Sequence, residues 1–214
     1  MHEMNPAWTV GAAWPRLDVK VAHTEPESEA PAELAELDDA ALVARSIAGE
    51  REAFGELVVR HRRSIYQLCY RFVGNHEDAV DLAQDVFLRA YRGLGRFKGN
   101  ASLGTWLYRI GVNVCLNRVA AKVAPTRPID DGFPIAGAAA DPAAGLIRQE
   151  QSARVRAAVM RLPRKQRATL ILRIYHERSH AEIARILGSS VGAVKANLFH
   201  ALNNLRKILQ TAEQ

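Results

Sequence analysis

The sequence predicts an all-α fold of two small helical domains joined by a flexible linker. Three observations predict it. Apolar residues recur at intervals of three and four along most of the chain, the spacing of one helix face, and no segment alternates with the period of a strand. Gly, Asn, Asp and Ser stand where such helices would stop or start. Four of the nine prolines fall in "VAPTRPIDDGFPIAGAAADPAAG", residues 123–145, and this linker divides the periodic segments in two.

Residues 1–37 include "HTEPESEAPAELAEL", rich in Pro, Ala and Glu. Such a segment buries too little apolar surface to offset its ordering entropy, so disorder is expected. Trp8 and Trp14 are its two candidate anchors for a partner. "DDAALVARSIAGE" then starts with Asp at its N-cap and stops near Gly49. "REAFGELVVRHRRSIYQLCYRFVG" carries Phe54, Leu57, Val58, Ile65, Leu68 and Phe72 on one stripe and ends at Gly74. Asn75 caps "HEDAVDLAQDVFLRAYRGL", whose Glu77 and Asp78 suit the positive end of a helix dipole. The loop "GRFKGNAS" leads into "LGTWLYRIGVNVCLNRVAAK", with Leu103, Leu107, Ile110 and Val114 as its buried stripe. These four helices make a bundle over residues 38–122.

Beyond the linker, residues 146–212 form the second domain. "LIRQEQSARVRAAVMRL" is helical, and Pro163 opens "RKQRATLILRIYH". Ser179 caps "HAEIARIL", Gly188 ends it, and Ser189 or Ser190 caps the final helix. In that helix Val191, Val194, Leu198, Ala201 or Leu202, Leu205 and Leu209 lie on one side. Lys195, Ala196, Asn197, His200, Asn203, Asn204 and Lys207 lie on the other.

At 48% hydrophobic and 24% charged residues, the chain has the composition of a folding globular protein. No apolar run approaches the roughly 18 residues of a membrane helix, and the first residues lack the basic and apolar regions of a secretory signal. No membrane insertion and a cytoplasmic location are the expectations. Cys69 and Cys115 form no CxxC pair and read as small core residues. Neither a cofactor nor a metal is expected. Charge is uneven: residues 1–41 hold two Lys/Arg against nine Asp/Glu, and residues 154–210 hold twelve Lys/Arg against two Glu. The basic second domain suits a polyanionic partner.

Two constellations point to nucleic acid. In "SHAEIARILGSSVGAVKANLFHAL" a short helix turns inward Ile183, Ala184 and Leu187. Gly188 permits a tight left-handed turn, and Val191 and Val194 pack the next helix back. That is the layout of a helix-turn-helix, whose second helix enters the major groove. Lys195, Asn197 and His200 would meet bases, and Arg164, Lys165, Arg167, Arg173 and Arg178 would meet phosphates. The second constellation lies in "GRFKGNASLGTWLYRIGVNVCLNRVAAK". It has no carboxylate, and Phe97, Lys98, Asn100, Arg109, Asn113 and Asn117 are left for loop or surface. Aromatic and amide groups beside cations suit unstacked single-stranded bases.

These same stretches resemble a known family. "EAFGELVVRHRRSIYQLCYRFVGNHEDAVDLAQDVFLRAYRGLGRFKGNASLGTWLYRIGVNVCLNR" is similar to region 2 of the extracytoplasmic-function (ECF) sigma factors of the sigma-70 family. "LPRKQRATLILRIYHERSHAEIARILGSSVGAVKANLFHALNNLR" is similar to their region 4. The resemblance implies a protein that joins core RNA polymerase, directs it to promoters and helps to melt DNA. It implies contact of Asp81, Gln84, Asp85 and Arg89 with the clamp helices of the polymerase β′ subunit, and of region 4 with the β flap. It also implies capture of an extruded base of the minus-ten element by the loop Phe97, Lys98, Gly99, Asn100, Ala101 and Ser102. Arg109, Asn113 and Asn117 on the following helix join that site. The minus-35 element would be read through Ser190, Lys195, Ala196, Asn197, Phe199 and His200. An anti-sigma factor wedged between the two regions is the family's usual control. The chain departs from the family in two places: it has "HERSHAEIA" where relatives read like "GLSYEEIA", and "AVKANLFHALNN" where they carry a run like "TVKSRLxRAR".

Two rival functions fit the sequence less well. A helical-bundle metalloenzyme would use Glu177 and His180 at Glu-x-x-His spacing, with Glu77, Asp78, Asp81 and Asp85 as further ligands, but it needs two such pairs and the sequence has one. A helix-turn-helix regulator that binds operators without joining polymerase would leave the first domain unexplained.

Overall fold

The computed structural model describes residues 32–121, 151 and 153–211. The first 31 residues, with Trp8 and Trp14, and the proline-rich linker lie outside the described residues. Among the described residues every regular element is a helix. In order they are α1 (Ala32–Glu36), α2 (Asp39–Ile47), α3 (Arg51–Val73), α4 (His76–Gly93), a 3₁₀ turn (Leu94–Arg96) and α5 (Leu103–Ala121). A helical segment at 153–160, here α6, is followed by α7 (Arg164–Ile174), α8 (His180–Leu187) and α9 (Val191–Thr211).

The helix ends follow the polar residues that mark them. Asp38 Oδ1 accepts from the Ala41 N–H at 2.7 Å, and Asn75 Oδ1 accepts from the Asp78 N–H at 2.9 Å, each satisfying an amide that the helix leaves open. Ser179 forms a full capping box with Glu182. Gly74 ends α3 at φ +80° and Gly188 ends α8 at φ +58°, the left-handed conformation that glycine adopts without a Cβ clash.

Helices α3, α4 and α5 pack on one another around Leu57, Ile65, Leu68, Phe72, Val86 and Phe87. Phe54, Val58 and Ile110 are half-buried at its margin. Helix α5 buries more than its expected stripe, because Tyr108, Val112 and Cys115 are also enclosed. Glycine explains the close approach on that second face. A Cβ at Gly111 would come within 2.8 Å of Leu68 Cδ2. Cys69 and Cys115 are free and buried, as small core residues. The neighbouring Cys115 thiol first, and burial second, hold the Cys69 thiol well above the ordinary cysteine range.

Two findings refine the sequence reading at the bundle's edge. Ala32–Glu36 is helical although it falls in the segment expected to be disordered. Leu34 is 1% exposed against the bundle, and Arg60 gathers three carbonyls at the helix end, donating to Leu34 O, Ala35 O and Leu37 O. The two helical groups also touch directly, with α5 packed on α8 and α3 on α7.

Candidate nucleic-acid interface

The minus-ten candidates gather at the α4–α5 junction. Phe97 packs its ring against Trp106 with centroids 5.2 Å apart, fixing the loop to the first turn of α5. Gly93 lies against that indole, where a Cβ would be in ordinary contact at 3.4 Å from Trp106 Cζ2. Gly99 turns the loop at φ +69°. Ser102 caps α5, its Oγ accepting from the Thr105 N–H at 3.2 Å. Lys98, Gly99, Asn100 and Ser102 are exposed, and Ala101 is half-buried. Beyond the cap, Arg109, Asn113 and Asn117 recur every four residues and are all exposed, so they share one face of α5 with Trp106 at its foot. This is a shallow polar face with an aromatic floor, and its donors and acceptors are open to base edges.

The minus-35 candidates sit on α9. Ser190 Oγ accepts from the Ala193 N–H at 3.1 Å and caps the helix, which decides between the two serines. Lys195, Ala196, Phe199 and His200 are exposed and Asn197 is half-buried. Phe199 is 64% exposed, with its ring centroid 5.6 Å from that of His200. Val194 and Ala201 are the buried pair of this helix, and Leu198 and Leu205 pack beside them.

Several expectations for this domain need correction. Val191 is 40% exposed and Leu202 48%, so Val191 does not pack inward and Ala201, not Leu202, faces the core. Asn204 is not on a free face, because its Nδ2 donates to Gln166 Oε1 at 2.8 Å. Arg167 is not a phosphate ligand. It is 6% exposed and donates to Met160 O and Leu162 O, closing the end of α6 as a buried cation does at a helix C-terminus. Arg164 and Arg178 are turned toward α5, where Arg164 Nη2 donates to Leu116 O at 2.7 Å. Arg178 lies 4.6 Å from the centre of the Tyr108 ring. Lys165 remains exposed.

The polymerase-facing candidates lie along α4. Asp81 and Arg89 are exposed, Gln84 and Asp85 are half-buried, and Arg89 Nε donates to Asp85 Oδ1 at 2.9 Å, one turn away. Among the described residues no three His, Cys, Asp or Glu side chains are grouped to hold a metal ion, and no helix is long and apolar enough to cross a membrane. Glu177 and His180 flank the Ser179 cap rather than sharing a helix, and Glu177 takes φ +51°.

The sequence reading missed the seam between the helical groups. Tyr108 Oη and His176 Nδ1 share a hydrogen bond at 2.9 Å, and Arg71 sits 4.1 Å over the Tyr175 ring. Burial first, and the charges of Arg178 and Arg71 second, push the His176 imidazole down to about 4. The small residues Gly111 and Cys115 mark a second buried face on α5, but that face meets Leu68 and Cys69 of α3, so no local signal marked the seam.

The comparisons with known proteins converge on one family. Residues 57–123 match the Sigma-70 region 2 family and residues 152–205 match Sigma-70 region 4. The ECF RNA polymerase sigma factor SigM of Mycobacterium tuberculosis is 39% identical over 175 residues, covering 81% of this chain and 86% of that protein. SigW of Bacillus subtilis, also an ECF RNA polymerase sigma factor, is 34% identical over 171 residues, covering 76% and 91%. Among solved structures, CnrH in complex with the cytosolic domain of CnrY superposes with a TM-score of 0.60 at 28% identity, over 81% of this chain and 97% of CnrH. The Bartonella quintana sigma factor RpoE, solved with the anti-sigma factor NepR, shares the fold with a TM-score of 0.57 at 19% identity, over 73% and 96%.

Proposed function

The chain belongs to the ECF RNA polymerase sigma factors, and on that premise we propose how its own residues divide the work of promoter-specific initiation. As a sigma factor it joins core RNA polymerase and directs it to promoter DNA. Helix α4 is the polymerase-binding face, with Asp81, Gln84, Asp85 and Arg89 meeting the β′ clamp helices. The loop Phe97–Ser102 and the face Arg109, Asn113 and Asn117 hold the melted minus-ten element. Helix α9 reads the minus-35 element from Ser190, Lys195, Ala196, Asn197, Phe199 and His200, with region 4 seated near the β flap.

The observation that carries the minus-ten assignment is the exposed row Arg109, Asn113 and Asn117 rising from the Phe97–Trp106 ring pair. A base swung out of a duplex must stack on something and present its edge to hydrogen-bonding groups. The ring pair offers the first and the amides the second. The groove reader on α9 is poorer in cations. Phe199 and Ala196 give it an apolar centre suited to thymine methyl groups, with Lys195 and His200 alongside.

Control by an anti-sigma factor is part of the same reading, supported by family membership and by the likeness to CnrH, which was solved with the cytosolic domain of CnrY bound. A regulator that binds DNA without polymerase is not favoured, since it leaves the region 2 match over residues 57–123 without a role. Run-off transcription with purified core polymerase and a pool of promoter fragments tests the assignment. Transcripts that depend on the protein and vanish with Asn113→Ala are expected.

A further inference from the structure

Helix α9 carries more exposed apolar surface than the reading of DNA uses. Val191, Phe199 and Leu202 are 40%, 64% and 48% exposed. Together with the exposed Lys195 and Arg206 they recur at intervals of three and four, so all five stand on one flank of the helix. That flank runs about 22 Å from Val191 to Arg206, at 1.5 Å per residue. Phe199 has a use at thymine methyl groups, but Val191 and Leu202 have none, because base edges and phosphates are otherwise polar. Apolar side chains grouped in this way mark a surface that something covers.

The chain itself holds a segment of matching chemistry. Residues 1–31 contain Trp8 and Trp14, and they carry five carboxylates against two cations. Residues 154–210 hold twelve Lys/Arg against two Glu, so the two parts attract each other. Helix α9 has no carboxylate of its own to pair with Lys195 and Arg206, whereas Glu25, Glu27 and Glu29 stand together in the acidic segment. Trp8 and Trp14 span at most about 20 Å when extended, close to the length of the flank. Reach is no obstacle, since the residues from Trp14 to Ala32 span up to about 60 Å, twice the length of α9. A second copy of the chain is the poorer occupant, because it would bring two cationic flanks together.

We propose that the acidic segment 1–31 lies along the Val191–Arg206 flank of α9 in the free protein, anchored by Trp8 and Trp14, and that duplex DNA must displace it. The tether makes the contact intramolecular, so a weak contact suffices to keep the flank covered. The docking rests on the exposed flank and on charge. Only its competition with DNA rests on the reading of α9 as the minus-35 helix.

The test uses the full chain with Leu202→p-benzoylphenylalanine as a photo-cross-linker on the exposed flank. Irradiation should join position 202 to residues 1–31 of the same molecule, read by peptide mass spectrometry of the monomeric product. Trp8→Ala combined with Trp14→Ala should abolish that product. In the chain without the cross-linker, binding to a short labelled duplex of random sequence is followed by fluorescence anisotropy. The paired tryptophan variant should bind about three- to ten-fold tighter than wild type, the gain expected when the flank is covered about two-thirds to nine-tenths of the time. Glu25→Gln, Glu27→Gln and Glu29→Gln together should also tighten binding, by an amount that fades as salt rises. A gain from the glutamine variant without one from the tryptophan variant would overturn the docking and leave a general repulsion of DNA by the segment. Cross-links between two molecules would overturn it in favour of a second copy, and no cross-link to residues 1–31 would overturn it outright. Cross-links as expected, with the same duplex affinity in every variant, would overturn the competition. No duplex binding by any of them, with the cross-links intact, would count against α9 as the reader and leave the docking standing.

Discussion

The two regions proposed to face DNA are built from different materials. In region 2 the reading groups stand on long helices over a deep core, and the site is an aromatic pair with a row of amides. In region 4 the reading helix α9 is as long, at 21 residues, but the helices that support it are short, with α8 only 8 residues long and set by its polar caps. A helix that short is marginal alone, and its stability comes from caps and tertiary packing. The comparison teaches where each region is vulnerable: region 2 through its core, region 4 through its caps and its seam with α5.

The largest effect should come from the region 2 core. Phe72 is fully buried, and Phe72→Ala should lower unfolding stability by about 3–5 kcal/mol through lost transfer and cavity terms, read from urea denaturation. A similar loss from Ser179→Ala would break the comparison, because it would show that caps and cores matter equally.

Next in size is the seam. The imidazole of His176 is faced by Tyr108 from α5, Arg71 from α3, and Tyr175 and Arg178 from its own segment, with Glu182 paired to Arg178. Its value near 4 with the seam closed is below the ordinary 6.5 with the seam open. The open form therefore takes up the proton first as pH falls. The closed form is fully favoured above about 6.5 and loses about 3 kcal/mol by pH 4. Domain separation, followed by energy transfer between dyes on exposed sites of the two regions, should track that window in the wild type and flatten in His176→Gln.

The capping box is smaller. Ser179→Ala removes an acceptor for the Glu182 N–H and a partner of the Glu182 carboxylate, and should cost about 0.5–2 kcal/mol, localised to α8 by amide exchange. Smallest is Arg89→Ala. Its exposed pair with Asp85 is worth about 0.3–0.5 kcal/mol, so thermal stability should barely change. A clear loss of core polymerase affinity in the same variant would then report a direct contact.

How much of this was legible in the sequence depends on the physics involved. Asp38, Asn75, Ser179, Gly74 and Gly188 all act on neighbours within a few residues, so local chemistry marked the helix ends. The exposed faces of α5 and α9 were legible for the same reason, since periodicity on one helix decides what is left outside. What depended on partners distant in sequence was not legible. Arg167 has the appearance of a phosphate ligand until α6 is seen ending beside it. Arg178 and Tyr108 are 70 positions apart in sequence, and no spacing rule joins them. Leu202 and Ala201 are one helix position apart, so periodicity alone could not choose which of them faces the core.

The most direct measurement is run-off transcription with core polymerase, the full chain and a promoter pool, comparing wild type with Asn113→Ala and Lys195→Ala. The account predicts promoter-specific transcripts with wild type, none with Asn113→Ala, and with Lys195→Ala fewer transcripts that are more sensitive to salt. Transcripts undiminished by Asn113→Ala would contradict the assignment of the minus-ten site to α5.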